Sequence, residues 1–291
     1  MTNSGSILSI LISLIIAALM MTAGSQGSVI INELPLFLVC ASIGFILHWM
    51  IFIPSYIYQT EHYFDLTGSI SYLSIIIFAL INKPEQDFRA FLICFLVVIW
   101  AVRLGSFLFL RVKKDGKDNR FTIMKTKFWW FLMTWTIGGL WVFITMASAL
   151  AAITSENTAP FSFFGFIGLS LWILGFSIEV LADRQKTKFK SVEGNTQKFI
   201  NEGLWTLSRH PNYLGEILLW LGIALIAYPV LSGWQLATLI SPLFVYILLT
   251  KVSGINILEA RSDKKWGEDP DYINYVNSTP KLFPIKKFNK I

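Results

Sequence analysis

Leu204-Trp-Thr-Leu-Ser-Arg-His-Pro-Asn-Tyr-Leu-Gly-Glu-Ile-Leu-Leu-Trp220 gathers an arginine, a histidine, an asparagine and a glutamate within residues 209–216, then enters an apolar stretch with no further charge until Lys251. Polar groups at the mouth of a membrane helix are costly to bury, so such a bunch points to ligand binding. The membrane reading extends outward over the whole chain. Of its 291 residues 54% are hydrophobic and only 14% charged, against roughly 25% charged in a soluble domain, and the mean hydropathy is +0.59. Apolar runs close to the ~20 residues that span a bilayer recur at 7–23, 34–57, 66–81, 90–110, 128–153, 161–182, 211–228 and 233–255. These features predict an all-α, polytopic helical bundle with eight transmembrane segments, or seven if the first is a cleaved signal peptide. The first run lacks a basic n-region and is long for an h-region, which favours a retained helix.

Charge sets the expected topology. Residues 111–127 hold seven Lys/Arg against two acids, 183–210 six against three, and 251–291 eight against five, whereas the loops at 24–33, 82–89, 154–160 and 230–232 hold two basic residues between them. The positive-inside rule then places the basic loops and both termini in the cytoplasm. The acidic loop 58–65 falls on the same side, which acids permit without setting orientation. The pI of about 9.2 thus reflects topology, together with attraction for anionic headgroups or a phosphate-bearing ligand. Nucleic acid is excluded as a partner, because no basic, aromatic-rich soluble module is present to hold it. Cys40 and Cys94 lie in apolar segments without metal-like spacing, and His48 and His62 do not pair with His210, so neither disulfide nor metal is expected. No linker or repeat divides the chain, and one membrane domain over 1–291 is the economical reading.

Chemistry-bearing residues collect at the ends assigned to the cytoplasm. Glu179 and Asp183 are four apart and share a helix face, which Lys186 and Lys190 continue. Asn212 and Glu216 repeat the spacing, as do Glu259 and Asp263 beside Arg261. Each has a plainer alternative. Glu179 could pair with a lysine such as Lys186, and the 183–190 stretch could be a solvated juxtamembrane turn. Arg209 and His210 could flank the helix and snorkel to headgroups. Pro211 suits a first helical turn. Asn212 and Glu216 are harder to dismiss, since both point into an otherwise lipid-embedded helix. Arg103 interrupts the fourth segment and needs a carboxylate or an anionic ligand. Asp65 opens the third segment and has an N-cap as its ordinary role. Tyr213 and Tyr272 are the aromatics in motif positions.

The stretch Gly203-Leu-Trp-x-x-Ser-Arg-His-Pro-Asn-Tyr-Leu-Gly-Glu216 resembles the signature of the bacterial relatives of steroid 5-alpha-reductase. Three further stretches agree in order: Trp100-x-x-Arg-Leu104 with Arg111 and Asp118-x-Arg120, Glu179-x-x-x-Asp-x-Gln-Lys186, and Glu259-x-Arg-x-Asp-Lys-Lys-Trp-Gly267 followed by Tyr272. The likeness covers a reductase-like core at 65–284, with residues 1–64 outside it. It implies a multi-pass enzyme of the bacterial inner membrane, holding NADPH at the cytoplasmic helix ends and acting on a lipid-soluble substrate. It implies cofactor contacts for Glu179, Asp183, Lys186, Lys190, Arg209, His210, Asn212, Tyr213, Glu216, Glu259, Arg261 and Asp263. Asn212 would sit near the nicotinamide, and Arg103, Arg111 and Arg120 near phosphates or their flanking loop. No Gly-rich fingerprint of a Rossmann binder is present.

The implied chemistry moves hydride from NADPH to the β-carbon of an α,β-unsaturated ketone, with negative charge growing on the carbonyl oxygen. Asp65 matches the carboxyl that faces this carbonyl, and a protonated acid in an apolar pocket is a suitable donor. The chain departs from the animal enzymes at two places. Trp100 replaces a substrate-binding tyrosine, and Glu179 replaces an asparagine. Both departures bear on the substrate class and leave the hydride chemistry implied. Isoprenylcysteine carboxyl and phospholipid methyltransferases share Arg-His-Pro-x-Tyr-x-Gly and a downstream glutamate, a part Glu259 could play, so an S-adenosylmethionine enzyme is the alternative. Glu216 next to Gly215, Asn212 within the motif, and the Ala182-Asp-x-Gln-Lys186 stretch favour the reductase. A transporter would more often show two similar halves, and none is seen.

Overall fold

The computed structural model describes residues 2–115 and 121–284, apart from the side chains of residues 112, 114 and 115. The all-α expectation holds: among the described residues, eight helical stretches are long and apolar enough to cross a membrane, and strand is confined to one two-residue hairpin. The chain falls into two compact units, Met1–Phe166 with Ala224–Ser241, and Ile167–Ile223 with Pro242–Ile291.

In the first unit, α1 (Asn3–Ser25) is capped by the Thr2 hydroxyl, which accepts from the Gly5 amide. Its buried positions, Ser6, Ser13, Ala17 and Gly24, are all small, while Leu8, Leu11, Ile15 and Leu19 face outward. The hydroxyls of Ser9 and Ser13 donate to carbonyls one turn back, at 2.9 and 2.8 Å, and so are satisfied within the helix, as an apolar surrounding requires. Small residues permit close approach, and at Gly24 a Cβ would fall 2.2 Å from the tip of the Phe37 ring. The 24–33 stretch, expected to be loop, forms an antiparallel hairpin, β1 (Ile30–Ile31) with β2 (Leu34–Pro35). Asn32 and Glu33 turn it with φ of 45° and 68°, so Leu34 belongs to a strand and not to the helix that follows.

Helices α2 (Leu36–Ile57), α3 (Phe64–Asn82), α4 (Phe88–Asp115) and α5 (Phe128–Thr145) pack around aromatic side chains. Trp100, Trp135, Tyr72, Phe37, Phe131 and Phe143 are fully enclosed. Gly139 lets α5 meet the α2 backbone at Phe45. The fifth run, expected to be continuous to residue 153, breaks at Met146 (φ −96°, ψ 8°) and restarts as α6 (Ala147–Thr154). Every residue of α6 is buried. Its Ala/Ser-rich composition allows a core position that a bulkier helix would overfill.

The second unit is built on α7 (Phe163–Ser191) and α8 (Pro211–Ala227), whose first residues and last residues respectively lie in the first unit. Here α7 runs on past residue 182, where the apolar run ends, carrying its Lys-rich turn as helix. Pro211 opens α8 as expected. The eighth run is not one helix. It reads as a 3₁₀ stretch (Gly233–Ile240), α9 (Ser241–Ile247), a π-helical turn (Leu248–Val252) and then α10 (Ile255–Trp266). Gly254 sits at the last turn, where a Cβ would fall 2.1 Å from the Leu249 carbonyl oxygen. Short α11 (Pro270–Ser278) starts at an Asp269 cap, whose carboxylate accepts from the Asp271 amide.

Candidate functional site

The second unit carries most of the sequence-selected residues, and glycine packing positions them. A Cβ on Gly175 would lie 2.5 Å from the Gly215 carbonyl oxygen, and one on Gly222 would lie 2.5 Å from that of Gly168. The two helices therefore touch backbone to backbone along glycines seven apart on each. The same contact sets Glu179 against the start of α8, where its amide nitrogen would be 2.7 Å from a Cβ on Gly215. Glu179, Asp183 and Glu216 are all buried, at 2, 7 and 8% exposure, and each interacts with other groups. Asn212 and Tyr213 are half-buried on the first turn of α8. Three carboxyl groups enclosed on two touching helices form the acidic part of the site.

Its basic part centres on Glu259. Arg209 Nη1 and His210 Nε2 approach Oε1 at 3.0 and 3.2 Å, and Lys281 Nζ approaches Oε2 at 2.9 Å. The Arg209 amide also donates to the Pro280 carbonyl at 2.9 Å, which brings the segment after α11 beside the motif. The 3.2 Å His210–Glu259 contact has the length of an ion pair, yet burial pushes the His210 pKa down, opposed by the bond to Glu259 and reinforced by the Lys186 and Arg209 charges. Two full cations already balance the carboxylate, so neutral His210 donates through Nε2–H. His210 stacks on Tyr213 with ring centroids 5.8 Å apart and planes 14° apart. The Arg209 Nε is buried and makes no hydrogen bond.

Other motif residues serve as mounting. Gln185 Oε1 accepts the Leu204 amide at 2.9 Å beneath Gly203, whose φ of +58° favours glycine. The Trp205 indole donates to the Ala182 carbonyl at 3.1 Å, and Tyr275 Oη donates to the Trp205 carbonyl at 2.7 Å. Lys186 rides on the Trp205 ring at 4.9 Å. The Lys190 ammonium is engaged by three carbonyls, of Asn195, Thr196 and Lys198, and holds that loop. Asp263 accepts from Tyr272 Oη at 2.8 Å; burial and this carboxylate push the tyrosine pKa up to about 12. Arg261 is exposed.

In the first unit Asp65 does not cap α3. The cap position is Tyr63, which makes no side-chain cap hydrogen bond, and Asp65 Oδ2 lies 3.8 Å from Arg111 Nη2. Two residues separated along the sequence are thus paired. Arg103 lies over the Phe107 ring at 5.4 Å, and Trp100 is fully buried edge-to-face with Tyr72 at 5.2 Å. Arg120 and Asp118 lie outside the described residues. Sequence reasoning passed over Lys281, Tyr275 and the 2.6 Å pair Glu61–Lys125. Lys281 and Tyr275 follow no periodic pattern, and only the acidic Glu61 inside a basic end hinted at a partner.

The family model described as "Protein of unknown function (DUF1295)" matches residues 51–279, so the chain belongs to that family. No curated protein and no solved structure matches it.

Proposed function

We propose that this member of the DUF1295 family is a membrane-embedded, NADPH-dependent reductase that saturates the C=C bond of an α,β-unsaturated carbonyl lipid. The observation that carries the reading is the second-unit site: three enclosed carboxyl groups on two glycine-packed helices, together with a buried Arg209 Nε lacking an acceptor. A dinucleotide fits both features. Its ribose hydroxyls and carboxamide offer donors to carboxylates, and its phosphates offer acceptors to guanidinium and ammonium groups.

When bound, NADPH supplies the hydride. Asn212 and Tyr213 orient the nicotinamide end, Glu179, Asp183 and Glu216 take hydroxyl and amide donors, and Arg209 and Lys186 balance phosphate charge. The resemblance gives the substrate carbonyl to Asp65; its oxygen becomes negative as the β-carbon gains hydride, and the Asp65 carboxylate, 3.8 Å from the Arg111 guanidinium, must take up a proton before it can donate there. The α-carbon takes a proton, so the substrate gains two hydrogens. We place the basic ends of the bundle, and with them this site, on the cytoplasmic side, where NADPH is available.

The methyltransferase reading is favoured by one contact, the 3.2 Å approach of His210 to Glu259, which joins the shared Arg-His-Pro motif to a downstream glutamate. The test is NADPH oxidation by the detergent-purified chain over a panel of steroid, polyprenoid and fatty enones. The reductase should yield a product two mass units heavier. A methylated product with S-adenosylmethionine, and no NADPH oxidation on any enone, would replace the reading with its rival.

A further inference from the structure

Two hydrogen bonds lay the stretch after α10 along the Arg-His-Pro motif. Tyr275 Oη, on α11, donates to the Trp205 carbonyl at 2.7 Å. Beyond the last turn of α11, the Pro280 carbonyl accepts from the Arg209 amide at 2.9 Å. Both segments advance in the same sense, so residues 275–280 run beside 205–209. Ser208 is buried between those bonds, and His210 just past them. The Arg209 side chain is only 13% exposed, and its Nε is buried. A ligand that reaches Arg209 must therefore displace a covering segment. Arg209 is bonded by α10, through Glu259, and by residues 279–282, through Pro280. The first is a helix of twelve residues. The second is irregular, and it is the one that yields at lower cost.

The side chains of this segment are set for closure. Thr279 and Leu282 are buried, while Phe283 is exposed. Lys281 stands half in solvent, with 52% of its side chain exposed, and its Nζ reaches Glu259 Oε2 at 2.9 Å. Arg209 and His210 occupy the other oxygen, Oε1. Lys281 thus shares the carboxylate without sharing an oxygen, and its departure leaves both of those contacts in place. An ion pair this exposed contributes little and is screened by salt. That is the character of a latch and not of a fixed strut.

We propose that residues 279–282 are a strap closed over the Arg209–His210 side of the site, and that Lys281 is the positioning residue that latches it through Glu259. The strap opens to let an anionic ligand reach Arg209 and closes again behind it. Naming that ligand as NADPH rests on the reductase reading, whereas the strap itself does not.

The test is amide hydrogen exchange of the detergent-purified full chain, followed in peptides covering residues 205–210. The Arg209 amide exchanges when its bond to Pro280 opens. Without ligand, Lys281→Met should speed exchange there about three- to fivefold, as expected for the loss of an exposed ion pair. Peptides from the middle of α7 should stay unchanged. Lys281→Arg should restore slow exchange, and high salt should move wild type toward the methionine variant. NADPH should slow exchange at 205–210 in wild type and dissociate several-fold faster from Lys281→Met. Unchanged exchange in Lys281→Met, or an acceleration spread equally over α7, would overturn the strap. Latch-dependent exchange that NADPH does not slow would uphold the strap and count against the reductase reading.

Discussion

The Arg209 guanidinium lies 3.0 Å from the Glu259 carboxylate, which ties the turn before α8 to the middle of α10. His210 and Lys281 complete the contact, so one carboxylate on α10 holds the turn before α8 and the segment after α11, three segments of the second unit in all. Its removal should be felt as a loss of structure as well as of ligand. Breaking a buried ion pair costs about 3–5 kcal/mol, and the Glu259 side chain is 16% exposed, so Glu259→Gln should cost roughly 2–3 kcal/mol on discounting for solvent. Thermal unfolding in detergent checks this; a variant as stable as wild type would remove Glu259 from the centre of the site.

His210 makes the same hub sensitive to pH. Its pKa is lowered by burial, so below about pH 6.5, the ordinary histidine value, the unfolded chain takes up a proton that the folded chain resists. The sign follows: this contribution is complete above pH 6.5 and is lost as pH falls. Melting temperatures between pH 7.5 and 5.5 should decline in wild type, and His210→Asn should decline less. Parallel profiles would show that His210 is protonated without cost.

Gly215 is where packing and chemistry meet. A Cβ there would sit 2.5 Å from the Gly175 carbonyl oxygen and 2.7 Å from the Glu179 amide nitrogen, so the helices must part. Overpacking of this kind costs about 1–3 kcal/mol. Gly215→Ala should therefore lower the melting temperature and weaken NADPH binding together, because the shift moves Glu179 from its place beside α8. Unchanged stability would mean that the backbone contact is looser than its geometry.

Much of the fold was legible because a bilayer leaves few choices. Length and apolarity located the eight spans, and four-residue spacing put Glu179 with Asp183 and Asn212 with Glu216. What escaped depended on contacts distant in sequence or on backbone adjustments without a compositional signal. The 3₁₀ and π turns at 233–252 lie in an unbroken apolar run. Met146 interrupts a helix whose neighbours are all good membrane residues. The pairing of Asp65 with Arg111 overrode the N-cap role that its position suggested. Lys190, in the middle of a motif, reaches three carbonyls because its loop folds back beneath it. Lys281 reaches Glu259 only through the course of the chain after α11.

Division of labour gives a further expectation. Asn212→Ala and Glu216→Gln should lose most NADPH binding while the protein stays folded, whereas Asp65→Asn should bind the cofactor normally and turn over about 100-fold more slowly. Titration of NADPH and enone turnover on the three variants separate the roles. Full affinity and rate in Asn212→Ala would refute the site assignment.

The central claim, that this site holds NADPH, is tested most directly by the melting temperature of the detergent-purified wild-type chain with NADPH or with S-adenosylmethionine. A ligand at 100 times its Kd stabilises the folded state by about 2.7 kcal/mol. A clear rise with NADPH and none with the methyl donor is the predicted result. A rise with S-adenosylmethionine alone would contradict it.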